Sequence, residues 1–151
     1  MRISVAADCA EGVAETLAPA LESRGHSVTV HGVLAADEPD DWAWCCATAA
    51  GDVAHGRADM AVVACWTGTG ASIAANKVAG VRAALCTDPA TAAGARRWND
   101  ANALALSLRL TSAPLLDEIL DAWFDAEPSP DADDRSNIEH LSALESRQQV
   151  T

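Results

Sequence analysis

One short stretch of this sequence combines a cysteine, a glycine turn and a run of helix-forming residues. The apolar segment 60–65 ends at Cys65, the turn 66–70 reads WTGTG, and the alanine-rich segment 71–77 follows. In a strand–turn–helix unit, successive backbone N–H groups point into one small space, and the helix dipole adds positive potential there. The same field would stabilise a thiolate, so Cys65 is the candidate reactive group of an anion-binding corner.

The glycine turn is open to other interpretations. A nucleotide-binding P-loop is excluded because no Gly-Lys-Ser/Thr follows at the required spacing, and Lys77 lies a full helix away. A dinucleotide fingerprint would need a third glycine after Gly68 and Gly70, and it would follow the first strand. A strand-to-helix turn without a ligand remains an alternative, and in that case Cys65 is an inert buried thiol.

The elements that must position this turn alternate between strand and helix. The predicted strands are 2–6, 27–30, 60–65, 81–86 and 103–108, and the predicted helices are 12–24, 42–55, 71–77, 89–97, 113–126 and 137–148. This order predicts an α/β fold, a three-layer α/β/α sandwich around a five-stranded parallel sheet. Ligands bind such sheets beyond the strand ends where the strand order reverses. If strands one and three are neighbours, Asp8 and Cys65 meet there; alternatively, Asp8 caps the first helix.

Composition and charge exclude several classes of function. A chain of 151 residues, half of them hydrophobic, suits a domain at 1–127, followed by an acidic linker and helical arm at 128–151. The net charge of −12 argues against binding to nucleic acid or to an anionic membrane. No apolar run approaches the ~20 residues of a membrane span, and no signal peptide precedes the first strand, so a cytoplasmic protein is expected. The scattered cysteines and histidines predict neither a metal site nor a disulfide framework.

Two motifs carry a resemblance to a known family. The stretch CWTGTGASIAANKVAGVRAALC at 65–86, followed by WNDANALAL at 98–106, resembles the ribose-5-phosphate isomerase B / galactose-6-phosphate isomerase family. The family patterns are Cys-Gly-Thr-Gly-x-Gly-x-Ser-Ile-Ala-Ala-Asn-Lys and His-Asn-(Asp/Glu)-x-Asn, and the match covers residues 1–124. The resemblance implies a Rossmann-like fold without a cofactor, and isomerisation of an aldose and a ketose through an enediol. Ribose 5-phosphate is the default substrate, in a cleft built between the subunits of a homodimer or tetramer.

The resemblance also assigns roles to individual residues. It makes Cys65 the base that moves a proton between C1 and C2, and Asp8 the acid that helps to open the sugar ring. The Thr67 hydroxyl serves the neighbouring oxygen, and Asn99 orients the substrate. Arg109 matches a phosphate ligand, although a solvated surface arginine is the alternative. The anion hole is formed by the backbone amides of Trp66, Thr67, Gly68, Thr69, Gly70, Ala71 and Ser72.

This chain departs from the family pattern at the positions that open the ring and bind phosphate. The family histidines are replaced by Cys9 and Trp98, the glycine after the cysteine by Trp66, and the tyrosine at the start of the second helix by Trp42. The paired phosphate-binding arginines fall in segment 131–135, where only Arg135 could serve and three aspartates would repel a phosphate dianion. The sequence therefore predicts that the residues for proton transfer are retained, whereas those for ring opening and phosphate binding are largely replaced.

Four of the five tryptophans fall at or beside the predicted cleft: Trp42, Trp44, Trp66 and Trp98. We expect Trp42, Trp66 and Trp98 to converge on Cys65, counting both subunits, and Trp123 to lie in the core. Packing at a dimer interface is the alternative. Trp66 should have a negative φ, because a bulky residue at positive φ is strained. An apolar wall favours a less anionic or more apolar substrate, and a non-catalytic ligand-binding homologue is the remaining hypothesis.

Overall fold

A sheet of five parallel strands forms the centre of the computed structural model, which describes residues 1–148. The strands are β1 (Arg2–Ala7), β2 (Ser27–Gly32), β3 (Met60–Cys65), β4 (Ala83–Leu85) and β5 (Ala103–Ser107). Their order is β2-β1-β3-β5-β4, and every neighbouring pair is parallel. The predicted five-stranded α/β sheet is confirmed. The end of the predicted C-terminal arm, 149–151, lies outside the described residues.

Six helices accompany the sheet: α1 (Ala14–Glu22), α2 (Trp42–Ala54), α3 (Thr69–Ala75), α4 (Pro89–Asn99), α5 (Ala113–Asp125) and α6 (Ala132–Gln148). Side chains of Asp41, Asp88 and Ser112 accept hydrogen bonds from the first turns of α2, α4 and α5, which explains where these helices begin. No helix within residues 1–148 has both the length and the apolar character that crossing a membrane requires.

The two faces of the sheet are packed differently. One core cluster contains large residues such as Leu17, Leu104 and Ile119, beneath α1, α4 and α5, together with Trp123, which is fully buried as expected. The other cluster consists of alanine, valine and cysteine beneath α2 and α3. Small side chains let α2 and α3 approach the sheet closely, and Cys65 belongs to this second face.

The strand order reverses between β1 and β3. The strand that follows β1 in the chain, β2, lies on one side of this pair, whereas the strands that follow β3, β4 and β5, lie on the opposite side. Ala7 lies opposite Ala64 in the register of β1 and β3, so Asp8 and Cys65 stand side by side at the carboxyl ends of these strands. The structure thus confirms that the first and third strands are neighbours. Their carboxyl ends form the crevice where folds of this kind bind ligands.

Most predicted elements differ from the observed ones at an end, and three of these differences are informative. The strand predicted at 81–86 is only three residues long, because this edge strand pairs with β5 over Ala83–Leu85 alone and leaves out Val81, Arg82 and Cys86. Helix α3 begins at Thr69 rather than residue 71. Helix α6 begins at Ala132 rather than residue 137, so it includes the end of the segment predicted as a linker; Asp133 and Asp134 in its first turn favour this start electrostatically.

Candidate active site

A cleft of about 410 Å³ opens at the switch point of the sheet. It contains seven of the residues predicted from sequence and one that was not predicted, Ile73. Ile73 follows Thr69 and Gly70 by four and three positions in α3, and this helical spacing was the available signal. The lining residues are Asp8, Trp42, Cys65, Trp66, Thr67, Thr69, Gly70 and Ile73.

Gly68 allows the turn after Cys65 to press against β5. Its φ is +77°, a left-handed conformation that favours glycine. A methyl group built at this position would lie 2.5 Å from Leu85 Cδ1 and 2.8 Å from the carbonyl carbon of Leu106. The turn therefore requires glycine for its conformation and also for its contact with the sheet.

The backbone of Trp66 is held by the end of β5. The carbonyl oxygen of Trp66 accepts hydrogen bonds from Ser107 Oγ at 3.0 Å and from the amide of Arg109 at 3.1 Å. The amide of Leu108 donates to the Cys65 carbonyl at 3.0 Å. Trp66 is not among the residues with positive φ, which confirms the expected backbone conformation. These bonds fix the direction in which the half-exposed indole leaves the turn.

The Cys65 thiol receives a backbone hydrogen bond from the helix that follows the turn. The amide of Ala71 donates to Cys65 Sγ at 3.4 Å, and the cysteine is only 4% exposed. This hydrogen bond ties the Cys65 side chain to the first turn of α3. This contact distinguishes Cys65 from a cysteine that merely fills space.

Asp8 directs a carboxyl group with one unpartnered oxygen into the same region. Its Oδ1 atom is buried and forms no hydrogen bond with any residue of the described chain. The helix-cap alternative is wrong, because α1 begins at Ala14 after Val13 and has no side-chain cap. A buried carboxyl oxygen that lacks a partner is a costly arrangement, so Asp8 is suited to accept a hydrogen bond from a ligand.

Two threonine hydroxyls provide the remaining polar side chains of the cleft. Thr67 Oγ1 and Thr69 Oγ1 lie 2.7 Å apart, and both residues are exposed. Trp42 also lines the cleft, and its ring packs on Gly70: a methyl group at Gly70 would lie 2.9 Å from two of its ring carbons. The lining thus combines the two hydroxyls with the apolar side chains of Trp42, Trp66 and Ile73.

The other residues predicted from sequence lie outside this cleft within one chain. Gly68 lies within the turn but does not line the cleft, and Ala71 and Ser72 follow in α3, where Ala71 reaches the site through its amide. Trp98 is 56% exposed and packs along its own helix against Gly94. The predicted convergence of Trp98 counted both subunits, so it stays a prediction. Also outside the cleft are Cys9, Asn99, Arg109 and Arg135, of which all but Cys9 are exposed.

Asp100 caps the C-terminal end of α4 and anchors it through two arginines. It has a left-handed backbone at φ 43°, and its side chain accepts hydrogen bonds from Arg96 at 3.0 Å and Arg82 at 3.1 Å. Arg82 Nε also donates to the Asp100 carbonyl at 2.8 Å. These contacts hold Trp98 and Asn99 at the surface. This role of Asp100 was not predicted from the sequence.

A buried charged cluster beneath α2 was also missed from sequence. His31 contacts Asp52 Oδ2 through Nε2 at 2.8 Å and Glu38 Oε2 through Nδ1 at 2.9 Å. Ser4 Oγ donates to Asp52 at 2.8 Å, and Arg57 Nε donates at 2.7 Å. Burial alone would raise the pKa of Asp52, but these hydrogen bonds outweigh it and lower the pKa. The cluster anchors α2, which begins with Trp42, to β1 and β2.

Metal binding has no evident location in the part of the chain that the structure describes. No group of three His, Cys, Asp or Glu side chains there is arranged to hold a metal ion.

Comparisons with known proteins identify the family. A sequence model described as Ribose/Galactose Isomerase matches residues 3–141. Ribose-5-phosphate isomerase B of Escherichia coli (strain K12) is 40% identical over 95 residues, which span 63% of each chain, less than two thirds of that relative. The D-erythrulose-4-phosphate isomerase of Pectobacterium atrosepticum is 34% identical over 128 residues, 84% of both chains. The structure of Clostridium thermocellum ribose-5-phosphate isomerase B has a TM-score of 0.88 at 33% identity, covering 98% of this chain and 99% of that one. The chain therefore belongs to the Ribose/Galactose Isomerase family of sugar-phosphate isomerases, with their Rossmann-like fold.

Proposed function

We propose that this protein interconverts a small phosphorylated aldose and its ketose through an enediolate, with Cys65 as the base. The observation that carries the proposal is the hydrogen bond from the Ala71 amide to Cys65 Sγ, in a cleft that also contains Asp8 and Thr67. A thiolate, a carboxyl group and hydroxyl donors around one small space are the groups that this chemistry needs.

The reaction moves one proton between adjacent carbons. The Cys65 thiolate removes a proton from the carbon beside the carbonyl, the C–H electron pair forms the carbon–carbon double bond, and the carbonyl pair moves onto oxygen. A proton then passes from the hydroxyl on the neighbouring carbon to this charged oxygen, and the thiol protonates the carbon that held the original carbonyl while the new carbonyl forms. A positioned base contributes about 10²–10⁴-fold to the rate of such a step. The Thr67 hydroxyl and the turn amides stabilise the oxygen charge while it exists.

Asp8 binds the substrate from the other strand. Its unpartnered Oδ1 accepts a hydrogen bond from a sugar hydroxyl, and it assists ring opening where the substrate is cyclic. Asp8 and Cys65 follow neighbouring strands, so their relative position is fixed by the sheet. Side chains on rigid elements hold reacting groups more precisely than side chains on free loops.

In this proposal the phosphate is bound by arginines, with Arg109 beside the turn. Arg109 is exposed, forms no ion pair with any residue of segment 1–148, and is tied through its amide to Trp66. It is therefore available to an anion beside the turn. Arg135, on α6, is the second arginine that the family pattern suggests.

A homodimer completes the site in this proposal. Trp42, Trp66 and Ile73 line the cleft and are each about half exposed, at 45%, 49% and 57%. Apolar surface of this kind, continuous with a ligand site, is typical of a subunit interface. Trp98 and Asn99 from the partner, with its arm at 128–151, would then close the cleft.

Two substrates are candidates. Ribose 5-phosphate follows from the family pattern and from the name of the Escherichia coli relative. D-Erythrulose 4-phosphate follows from the relative that aligns over 84% of the chain. Since both are phosphorylated and short, the same base and the same anion hole would serve either of them.

The proposal is tested by NMR assays of isomerisation with four-, five- and six-carbon sugar phosphates. We expect turnover by the unmodified protein, loss of turnover in Cys65→Ala, and retained turnover in Cys86→Ala, which removes a buried thiol outside the cleft. Binding of these phosphates without any isomerisation would refute the proposal and favour a non-catalytic ligand-binding protein.

A further inference from the structure

We infer that the substrate is a sugar phosphate that cannot form a ring, a four-carbon sugar 4-phosphate, and that Trp66 is the residue that selects it. The inference rests on the proposed isomerase function and makes its substrate class specific. It is carried by three features of the cleft: its lack of an imidazole, the fixed indole of Trp66, and the absence of polar partners on the tryptophan wall.

The chemistry of the two candidate substrates differs before they reach the protein. A five-carbon aldose 5-phosphate closes into a five-membered ring through its C4 hydroxyl, so an isomerase must first open that ring by moving a proton. In a four-carbon sugar 4-phosphate the same oxygen carries the phosphate. No five- or six-membered ring can form, and the carbonyl group is available directly for proton transfer.

The cleft of this chain retains only one of the groups that would catalyse ring opening. No histidine of residues 1–148 lines it, and the two positions where the family pattern has histidine are Cys9 and Trp98. Burial raises the pKa of the Cys9 thiol, and the neighbouring Asp8 raises it further, so Cys9 does not replace an imidazole near neutral pH. The indole N–H at position 98 can donate a hydrogen bond, but it is neither acidic nor basic near neutral pH and cannot transfer the proton. A ring-opening site thus keeps only Asp8.

Trp66 occupies space that the family pattern leaves open. The pattern has glycine at this position, whereas here an indole lines the cleft beside Cys65. Its backbone cannot retreat, because the Trp66 carbonyl is bound by Ser107 and Arg109 of the β5 end. The volume of an indole exceeds that of one CHOH group, so Trp66 leaves less room beside Cys65 than a glycine would.

The walls also lack partners for an additional hydroxyl. Trp42 and Ile73 complete the apolar side of the cleft, and the polar side chains are Asp8, Thr67 and Thr69. A hydroxyl that enters such a site loses its bonds to water without replacing them. A four-carbon chain presents one hydroxyl fewer than a five-carbon chain, and it therefore fits the available donors and acceptors better.

The test compares three substrates across three proteins. The substrates are D-erythrulose 4-phosphate, ribose 5-phosphate and 4-deoxyribose 5-phosphate, a five-carbon chain that cannot close into a ring because it lacks the C4 hydroxyl. The proteins are the unmodified chain, Trp66→Gly, and the control Trp44→Ala, which removes a tryptophan that is 68% exposed and outside the cleft. Trp66→Ala also removes the indole, but alanine gives the turn less backbone freedom than glycine does, so this variant separates loss of the side chain from added flexibility.

We expect the unmodified protein to prefer the four-carbon substrate over both five-carbon chains by about 10- to 200-fold in kcat/KM, the range for one extra carbon in a tight pocket. Trp66→Gly should reduce the preference over 4-deoxyribose 5-phosphate by about tenfold or more, and Trp44→Ala should leave it unchanged. In every protein, 4-deoxyribose 5-phosphate should be a better substrate than ribose 5-phosphate.

Other results would overturn the inference in distinguishable ways. Equal or better turnover of ribose 5-phosphate by the unmodified protein would refute the substrate class while leaving the isomerase function intact. An unchanged ratio in both Trp66 variants would refute the selecting role of Trp66. Absence of isomerisation with all three substrates would refute the inference, and absence with six-carbon sugar phosphates as well would refute the proposed function.

Discussion

Replacement of Gly68 by alanine tests whether the turn of the active site is held against β5. The substitution lowers the stability of the fold for two reasons. Gly68 has a φ of +77°, which strains any other residue, and an added methyl group would lie 2.8 Å from the Leu106 carbonyl carbon. The backbone of a central strand cannot move aside easily, unlike the end of a flexible side chain. Gly80 provides a matched control: its φ is +82°, and nothing lies within 4 Å of an added methyl group.

The size of the effect follows from these two contributions. A left-handed conformation costs a non-glycine residue about 1–2 kcal/mol, partly offset by about 0.4–1 kcal/mol from the stiffer unfolded chain. We therefore expect Gly80→Ala to lose about 1 kcal/mol of unfolding free energy. Gly68→Ala has the same cost plus about 1–3 kcal/mol for forcing a methyl group into a packed site. Its total loss should be about 2–4 kcal/mol.

Urea unfolding of both variants at equal protein concentration measures the difference. In the temperature range where Gly68→Ala remains folded, its isomerase activity should also fall, because the displaced turn carries the amides that face the substrate. Gly80→Ala should keep its activity. Equal destabilisation of the two variants would refute the packing of this turn against β5, and with it the structural basis of the anion hole.

Three further predictions concern the surroundings of the cleft. Limited alkylation followed by mass spectrometry should modify Cys65 before Cys86, because burial raises the pKa of Cys86 to about 12; the reverse order would contradict the reactive role of Cys65. Gly70→Ala should change stability little, because the gain of about 1 kcal/mol in helix propensity offsets the cost of displacing the Trp42 ring. The displaced ring should raise the KM for the sugar phosphate. An unchanged KM would exclude Trp42 from the substrate wall. Asp52, whose pKa is lowered in the folded protein, stabilises the fold above its unfolded pKa of about 4, and this contribution disappears as the pH falls through the folded value. Asp52→Asn should therefore lose about 1–3 kcal/mol at pH 7 and show a weaker loss of stability below pH ~4 in urea titrations; parallel pH profiles would refute the charged cluster.

Much of the fold could be predicted because local signals agree with one another. The β-branched run before Cys65 and the Gly68 turn predict a buried strand followed by a tight connection, and the structure has both. The lengths of β4 and α6 could not be predicted in the same way. An edge strand is limited by its single neighbour, and the start of α6 depends on acidic residues that are equally compatible with a linker.

The candidate site was predictable where it is built from consecutive residues. Residues 65–70 lie together in one turn, and Asp8 joins them through strand order alone. The cluster of His31, Asp52 and Glu38 depends on contacts between residues that are 7 to 21 positions apart, and no periodic pattern indicates them. Trp98 points away from the cleft of its own chain, so its role depends on a second subunit that one sequence does not describe.

The central claim is that Cys65 moves the substrate proton, and hydrogen exchange with solvent tests it most directly. The protein is incubated in D₂O with D-erythrulose 4-phosphate and, separately, with ribose 5-phosphate, and NMR follows deuterium at C1 and C2. We expect the unmodified protein and Cys86→Ala to form product with deuterium at the newly protonated carbon. Cys65→Ala should retain the native NMR spectrum of the protein and show neither product nor deuterium incorporation. Exchange by Cys65→Ala at the rate of the unmodified protein would contradict the assignment of Cys65 as the base.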